Sequence, residues 1–149
     1  MMKFYHTSSI KDTEVDLMAL STIDATKFGI IDIDGKKIGL SWATIYPPEI
    51  LEIADFQVIA IGHRTLFMLI SVLDCKVLMK FGLDYDLVLI EKYGFYLFVV
   101  TELNILCVNL NNNSIFKIFD LPEIAENIEY RDRELVVYCI DGTVVNNII

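Results

Sequence analysis

Arginine is scarce: the chain has three, Arg64, Arg131 and Arg133, and its 21 acidic side chains outnumber its 12 lysines and arginines to leave a net charge of −9. Neutralising a phosphate backbone takes clustered cations, so direct nucleic-acid binding is disfavoured. Histidine is scarcer still, with His6 and His63 alone, and the three cysteines form no C-x-x-C pair. Zinc sites need several such ligands at compatible spacing, so no metal is expected. No apolar run reaches the roughly 18 residues that a membrane-spanning helix requires, because His63-Arg64-Thr65 and Glu91-Lys92 interrupt the longest candidates. Residues 1–9 lack the apolar stretch of a signal peptide, and the expectation is a cytoplasmic chain.

Catalytic patterns are missing as well. There is no Gly-x-Ser-x-Gly, no glycine-rich loop leading into a helix, and few bases to activate a nucleophile. Asp84 and Asp86 share a strand parity and could pair for acid–base work, but at a strand entry such carboxylates solvate a turn. Asp32-Ile33-Asp34-Gly35 resembles the opening of a calcium loop without its closing glutamate and reads instead as a hairpin turn. His63, in Gly62-His63-Arg64-Thr65, reads as a turn residue. A non-enzyme without catalytic residues, cofactor or metal is the expectation.

What the chain does contain is apolar material, 54% of residues with a mean hydropathy of +0.50. Residues 56–73 (FQVIAIGHRTLFMLISVL) and 85–103 (YDLVLIEKYGFYLFVVTEL) repeat one design at an offset of 29: apolar run, polar Gly-containing turn, apolar run. Asp34-Gly35 between two alternating runs is a strong hairpin signal, and Asn111-Asn112-Asn113 marks another turn. Cys75, Cys107 and Cys139, spaced 32 residues apart, extend the repeat and read as small buried residues at equivalent strand positions. In residues 66–70 and 95–100 both side-chain parities are apolar, so both faces of those strands should be covered.

These patterns predict an all-β fold: an antiparallel meander of hairpin repeats, propeller-like or in two packed sheets, with at most one short helix near 48–54. A single domain is expected over 1–149, with a first hairpin at 27–42, repeat units at 56–83 and 85–121, and a shorter unit at 124–149. In residues 1–26 only 15–20 suggests a strand, at an edge. Function should fall where the units differ. The best surface candidate is the acidic stretch carrying Asp120, Glu123, Glu126, Glu129, Tyr130, Arg131, Asp132 and Glu134, in which tyrosine and arginine are favoured anchors and carboxylates steer a basic partner. A homodimer would also cover apolar faces, which keeps a self-associating structural or adaptor domain as the alternative.

Residues 105–119 (ILCVNLNNNSIFKIF), 120–123 (DLPE), 128–130 (IEY) and 135–143 (LVVYCIDGT) resemble small propeller-like β proteins of bacteria, many of them immunity proteins that accompany polymorphic or contact-dependent toxins. The resemblance implies a non-enzymatic module that binds one cognate toxin domain, often a basic nuclease, and occludes its active site.

Overall fold

A computed structural model describes residues 2–149, which form two compact units: residues 2–61 with 68–80, and residues 62–67 with 81–149. Fifteen strands make four sheets. The first sheet lies within the first unit and contains β1 (Met2–Thr7), β2 (Leu17–Leu20), β3 (Lys27–Ile33) and β4 (Lys36–Trp42), in the order β1-β3-β4-β2. The second contains β5 (Glu49–Ile53), β6 (Val58–His63), β7 (Leu66–Ser71) and β8 (Val77–Gly82), in sequence order. The third contains β9 (Leu87–Tyr93), β10 (Tyr96–Thr101), β11 (Asn104–Asn109) and β12 (Ser114–Asp120); the fourth contains β13 (Ala125–Arg131), β14 (Glu134–Cys139) and β15 (Val144–Ile148). Both belong to the second unit and run as antiparallel meanders.

The hairpin signal at Asp34-Gly35 has the geometry it implies. Asp34 and Gly35 take φ of +50° and +88°, a pair that only residues tolerant of left-handed backbone supply easily. The Asp32 carboxylate accepts the Gly35 N–H at 3.0 Å, so it closes the turn on its own backbone. Gly29 serves a different need. The Phe4 ring lies where a Cβ on Gly29 would be, so any side chain there displaces that ring.

Three expectations are corrected. Residues 49–53 form strand β5, and the helical character is confined to a 3-10 turn at Ala54–Phe56 that ends on Gln57 with φ +54°. Pro47 and Pro48 end the preceding loop, and the short run that follows takes the sheet pairing that periodicity over so few residues could not choose. Residues 2–26 hold two strands: β2, at an edge as expected but parallel to β4, and β1, which pairs with β3. Cys107 and Cys139 are buried in β11 and β14, whereas Cys75 is half-buried outside any strand at φ +54°, in the turn before β8.

The doubly apolar strands are covered on both faces. Residues 67–70 of β7 and 97–101 of β10 are buried without alternation. In the second unit the core gathers Phe98, Val100, Ile105, Cys107, Ile128, Leu135 and Val137. Full burial stabilises each such side chain by about 1.5–3 kcal/mol relative to exposure. Lys117 of β12 donates to the Ile148 carbonyl of β15 at 2.6 Å.

One polar pair sits inside this core. The Thr101 hydroxyl accepts the Asn104 N–H at 3.1 Å and lies within hydrogen-bond reach of the Asn104 backbone and side-chain carbonyls, pinning the β10–β11 turn. Both residues are buried. Thr101→Val keeps the shape but orphans the Asn104 N–H, and a loss of about 1–3 kcal/mol is expected. Urea unfolding measures it; an unchanged midpoint would show the hydroxyl to be dispensable.

Candidate functional site

A surface cleft lies in the second unit, at the tips of two hairpins. Tyr93 ends β9, Gly94 and Phe95 turn the chain, and Tyr96 opens β10. Tyr130 stands near the end of β13, and Arg133 lies in the turn to β14. Together they line an open cleft of about 490 Å³.

Each wall has a local cause. Gly94 takes φ +62°, which lets the β9–β10 hairpin reverse tightly and sets Phe95 against Tyr96, ring centroids 4.4 Å apart. Tyr96 meets Tyr130 edge-on at 5.7 Å and 85°, and Tyr130 also packs on Phe98 at 5.6 Å and on Tyr93 at 6.1 Å. The β13–β14 turn is unusual. Asp132 and Arg133 both have left-handed backbones, φ +52° and +64°, where glycine or asparagine is the ordinary choice. A side chain in that region costs roughly 1–2 kcal/mol, so the turn holds Arg133 at the cleft at some expense in stability.

Electrostatics follow from the packing. The Tyr93 hydroxyl lies 2.9 Å from the Glu91 carboxylate and 3.1 Å from the Ile128 carbonyl. Burial first, then its bond to Glu91 and the charges of Glu91 and Glu129, push its pKa up to about 12. Tyr130 is raised too, by burial and the Tyr96 phenol, with the Arg133 guanidinium opposing. Glu129 accepts from Arg131 at 3.3 Å and from the Tyr138 hydroxyl at 3.4 Å. Tyr93, Glu129, Tyr130 and Arg131 border a second, shallower depression beside the cleft.

The acidic stretch is therefore a strand and a tight turn. Tyr130 enters the cleft wall, and Glu129, Arg131 and Asp132 stand at or next to it. Since Tyr130 pairs with the buried Leu135 and Glu129 with the half-exposed Val136, successive residues of β13 point to opposite faces. Glu134 opens β14 half-buried, and Glu126 is exposed where the β13–β14 register shifts. Asp120 is exposed at the end of β12, and the Glu123 carboxylate accepts the Ile124 N–H at 2.9 Å; neither lines the cleft. Arg133 lies within the acidic stretch that the sequence singles out, whereas sequence reasoning misses Tyr93, Phe95 and Tyr96. Their signal is three aromatics around one glycine, Tyr93-Gly94-Phe95-Tyr96, in a hairpin whose repeat pattern reads as packing.

His63 is half-buried at the end of β6. Burial, then the Arg64 charge, holds its pKa below the ordinary 6.5, with Asp86 pulling the other way. In acid the unfolded chain therefore protonates first, so this contribution to stability is complete above 6.5 and is lost as the pH falls through the folded value. His63→Gln should flatten the stability profile between roughly pH 7 and 5. Urea midpoints across that window test it; parallel profiles would remove His63 as the cause. Among the described residues no cluster of His, Cys, Asp or Glu is placed to hold a metal ion, and no helix is long and apolar enough to cross a membrane.

Sheets of short antiparallel strands with this meander define a propeller-like all-β protein. Solved structures carry the same fold at low identity. The designed protein Ika4 matches with a TM-score of 0.63 and 9% identity over 96% of this chain and 96% of its own. The β-propeller domain of Cps50 (Swd1) from Myceliophteria thermophila matches at 0.53 and 9%, over 71% of this chain and 39% of that one. BBS1N, crystallised in complex with ARL6DN, matches at 0.55 and 10%, over 81% and 42%. The chain thus spans less than half the length of these last two chains. No family model matches the sequence, and no curated protein does.

Proposed function

We propose that the protein is a non-enzymatic protein-binding module, and that it acts in the cytoplasm as an immunity protein neutralising a cognate toxin domain of basic character. The observation that carries the reading is the cleft at the hairpin tips: aromatic walls, an arginine held by a strained turn, and carboxylates at Glu91 and Glu129 beside it. Tyrosine and arginine dominate binding hot spots, and rim carboxylates speed encounter with a cationic partner. The net charge of −9 supports the same polarity of partner. BBS1N, a structural neighbour crystallised in complex with ARL6DN, supports the general role.

The test is co-expression with a toxin domain encoded beside this chain. A tight, salt-sensitive complex that abolishes toxicity is expected; a toxin left fully active sinks that pairing. A self-associating structural domain is the second reading, favoured by exposed apolar side chains on the outermost strands of three sheets: Val77 and Leu78 on β8, Phe116 and Ile118 on β12, Val144 and Ile148 on β15. Light scattering across dilution distinguishes it, since that reading requires a mass above one chain without any partner.

A further inference from the structure

We propose that a cleft in the first unit binds a small carboxylate with a short apolar tail. The site is separate from the one at the hairpin tips and does not depend on the function proposed for it. Pairing of β1, β3 and β4 sets Thr7 opposite Phe28 and Lys27 opposite Trp42. Beside these strand ends lies a cleft of about 400 Å³, within the range of small-molecule sites, lined by His6, Lys27, Phe28, Trp42, Ile45 and Pro47 among others.

Two observations point to the ligand's chemistry. Trp42 is 1% exposed, and its buried indole N–H has no acceptor among the described residues. Buried donors are almost always paired, so an unpaired one in a cleft wall calls for an acceptor oxygen from outside the fold. The Lys27 side chain likewise makes no hydrogen bond or ion pair among the described residues, although acidic groups outnumber basic ones in this chain. One ammonium and one N–H donor suit a singly charged carboxylate; a phosphate dianion would need more positive charge than the cleft offers. Phe28, Ile45 and Pro47 supply apolar surface for a tail. The exposed imidazole of His6 forms part of the same wall, its centroid 5.9 Å from the indole.

Trp42 is the only tryptophan, so its indole N–H gives one identifiable signal in the NMR spectrum of the isotope-labelled full chain. Titration with hexanoate should shift that signal saturably at millimolar concentration. Hexanamide, which keeps the tail and loses the charge, and acetate, which keeps the charge and loses the tail, should each bind about tenfold more weakly or worse. Lys27→Gln should weaken hexanoate binding by about tenfold, with backbone resonances away from the cleft unchanged. The proposal is overturned if hexanoate gives no saturable shift, if hexanamide or acetate matches it, or if folded Lys27→Gln binds as the parent does.

Discussion

Phe98→Ala should destabilise the second unit by about 3–5 kcal/mol, a large share of the 5–15 kcal/mol that holds a typical domain together. Phe98 is completely buried in β10, and its ring meets Tyr93 at 6.0 Å, Tyr96 at 6.3 Å and Tyr130 at 5.6 Å. Removing it takes away the buried apolar area and leaves a cavity under three rings held by two hairpins, which cannot all collapse into the space. The control is Phe116→Ala. That ring is 42% exposed on β12 and should cost far less. Urea unfolding followed by tyrosine ellipticity measures both, and similar losses for the two variants would contradict the packing described. Phe98→Ala should also weaken partner binding, because Tyr96 and Tyr130 lose the ring that orients them.

The second large effect concerns binding. If the cleft binds a protein as proposed, Phe95→Ala and Arg133→Ala should each weaken the complex by about 2 kcal/mol, roughly thirtyfold, through a faster off-rate. Phe95 is 41% exposed at the tip of the β9–β10 hairpin, so its loss touches little of the core. Arg133 sits in a left-handed turn position that alanine tolerates no better, so backbone strain stays nearly constant and the change reports on the guanidinium. Glu126→Gln, away from the cleft lining, should instead slow association a few-fold and reduce its salt dependence. Surface plasmon resonance separates these cases. An unchanged affinity in both Phe95→Ala and Arg133→Ala would move the binding surface elsewhere.

Legibility of the fold followed the length scale of the forces that make it. The Asp34-Gly35 turn was readable because its requirement, positive φ at two adjacent residues, is met or missed by those residues alone. The covered strands β7 and β10 were readable because burial on both faces demands apolar residues at both parities. Residues 49–53 were not, since a five-residue run with two glutamates suits a helical turn or an edge strand until a neighbouring strand decides. β1 was hidden for a similar reason: Lys3, Tyr5 and His6 are exposed, and only pairing to β3 makes the segment a strand. At the hairpin tips, Tyr130 was found from composition. Its partners Tyr93, Phe95 and Tyr96 come from a hairpin about 35 residues earlier in the chain.

The single indole has an optical consequence. Trp42 is buried in the first unit, while the clustered rings of Tyr93, Tyr96 and Tyr130 belong to the second. Tryptophan emission therefore follows the melting of one unit, and tyrosine ellipticity is weighted toward the other, with no label added. Superimposable curves would mean that the 149 residues unfold as one cooperative block, and staggered curves would resolve two.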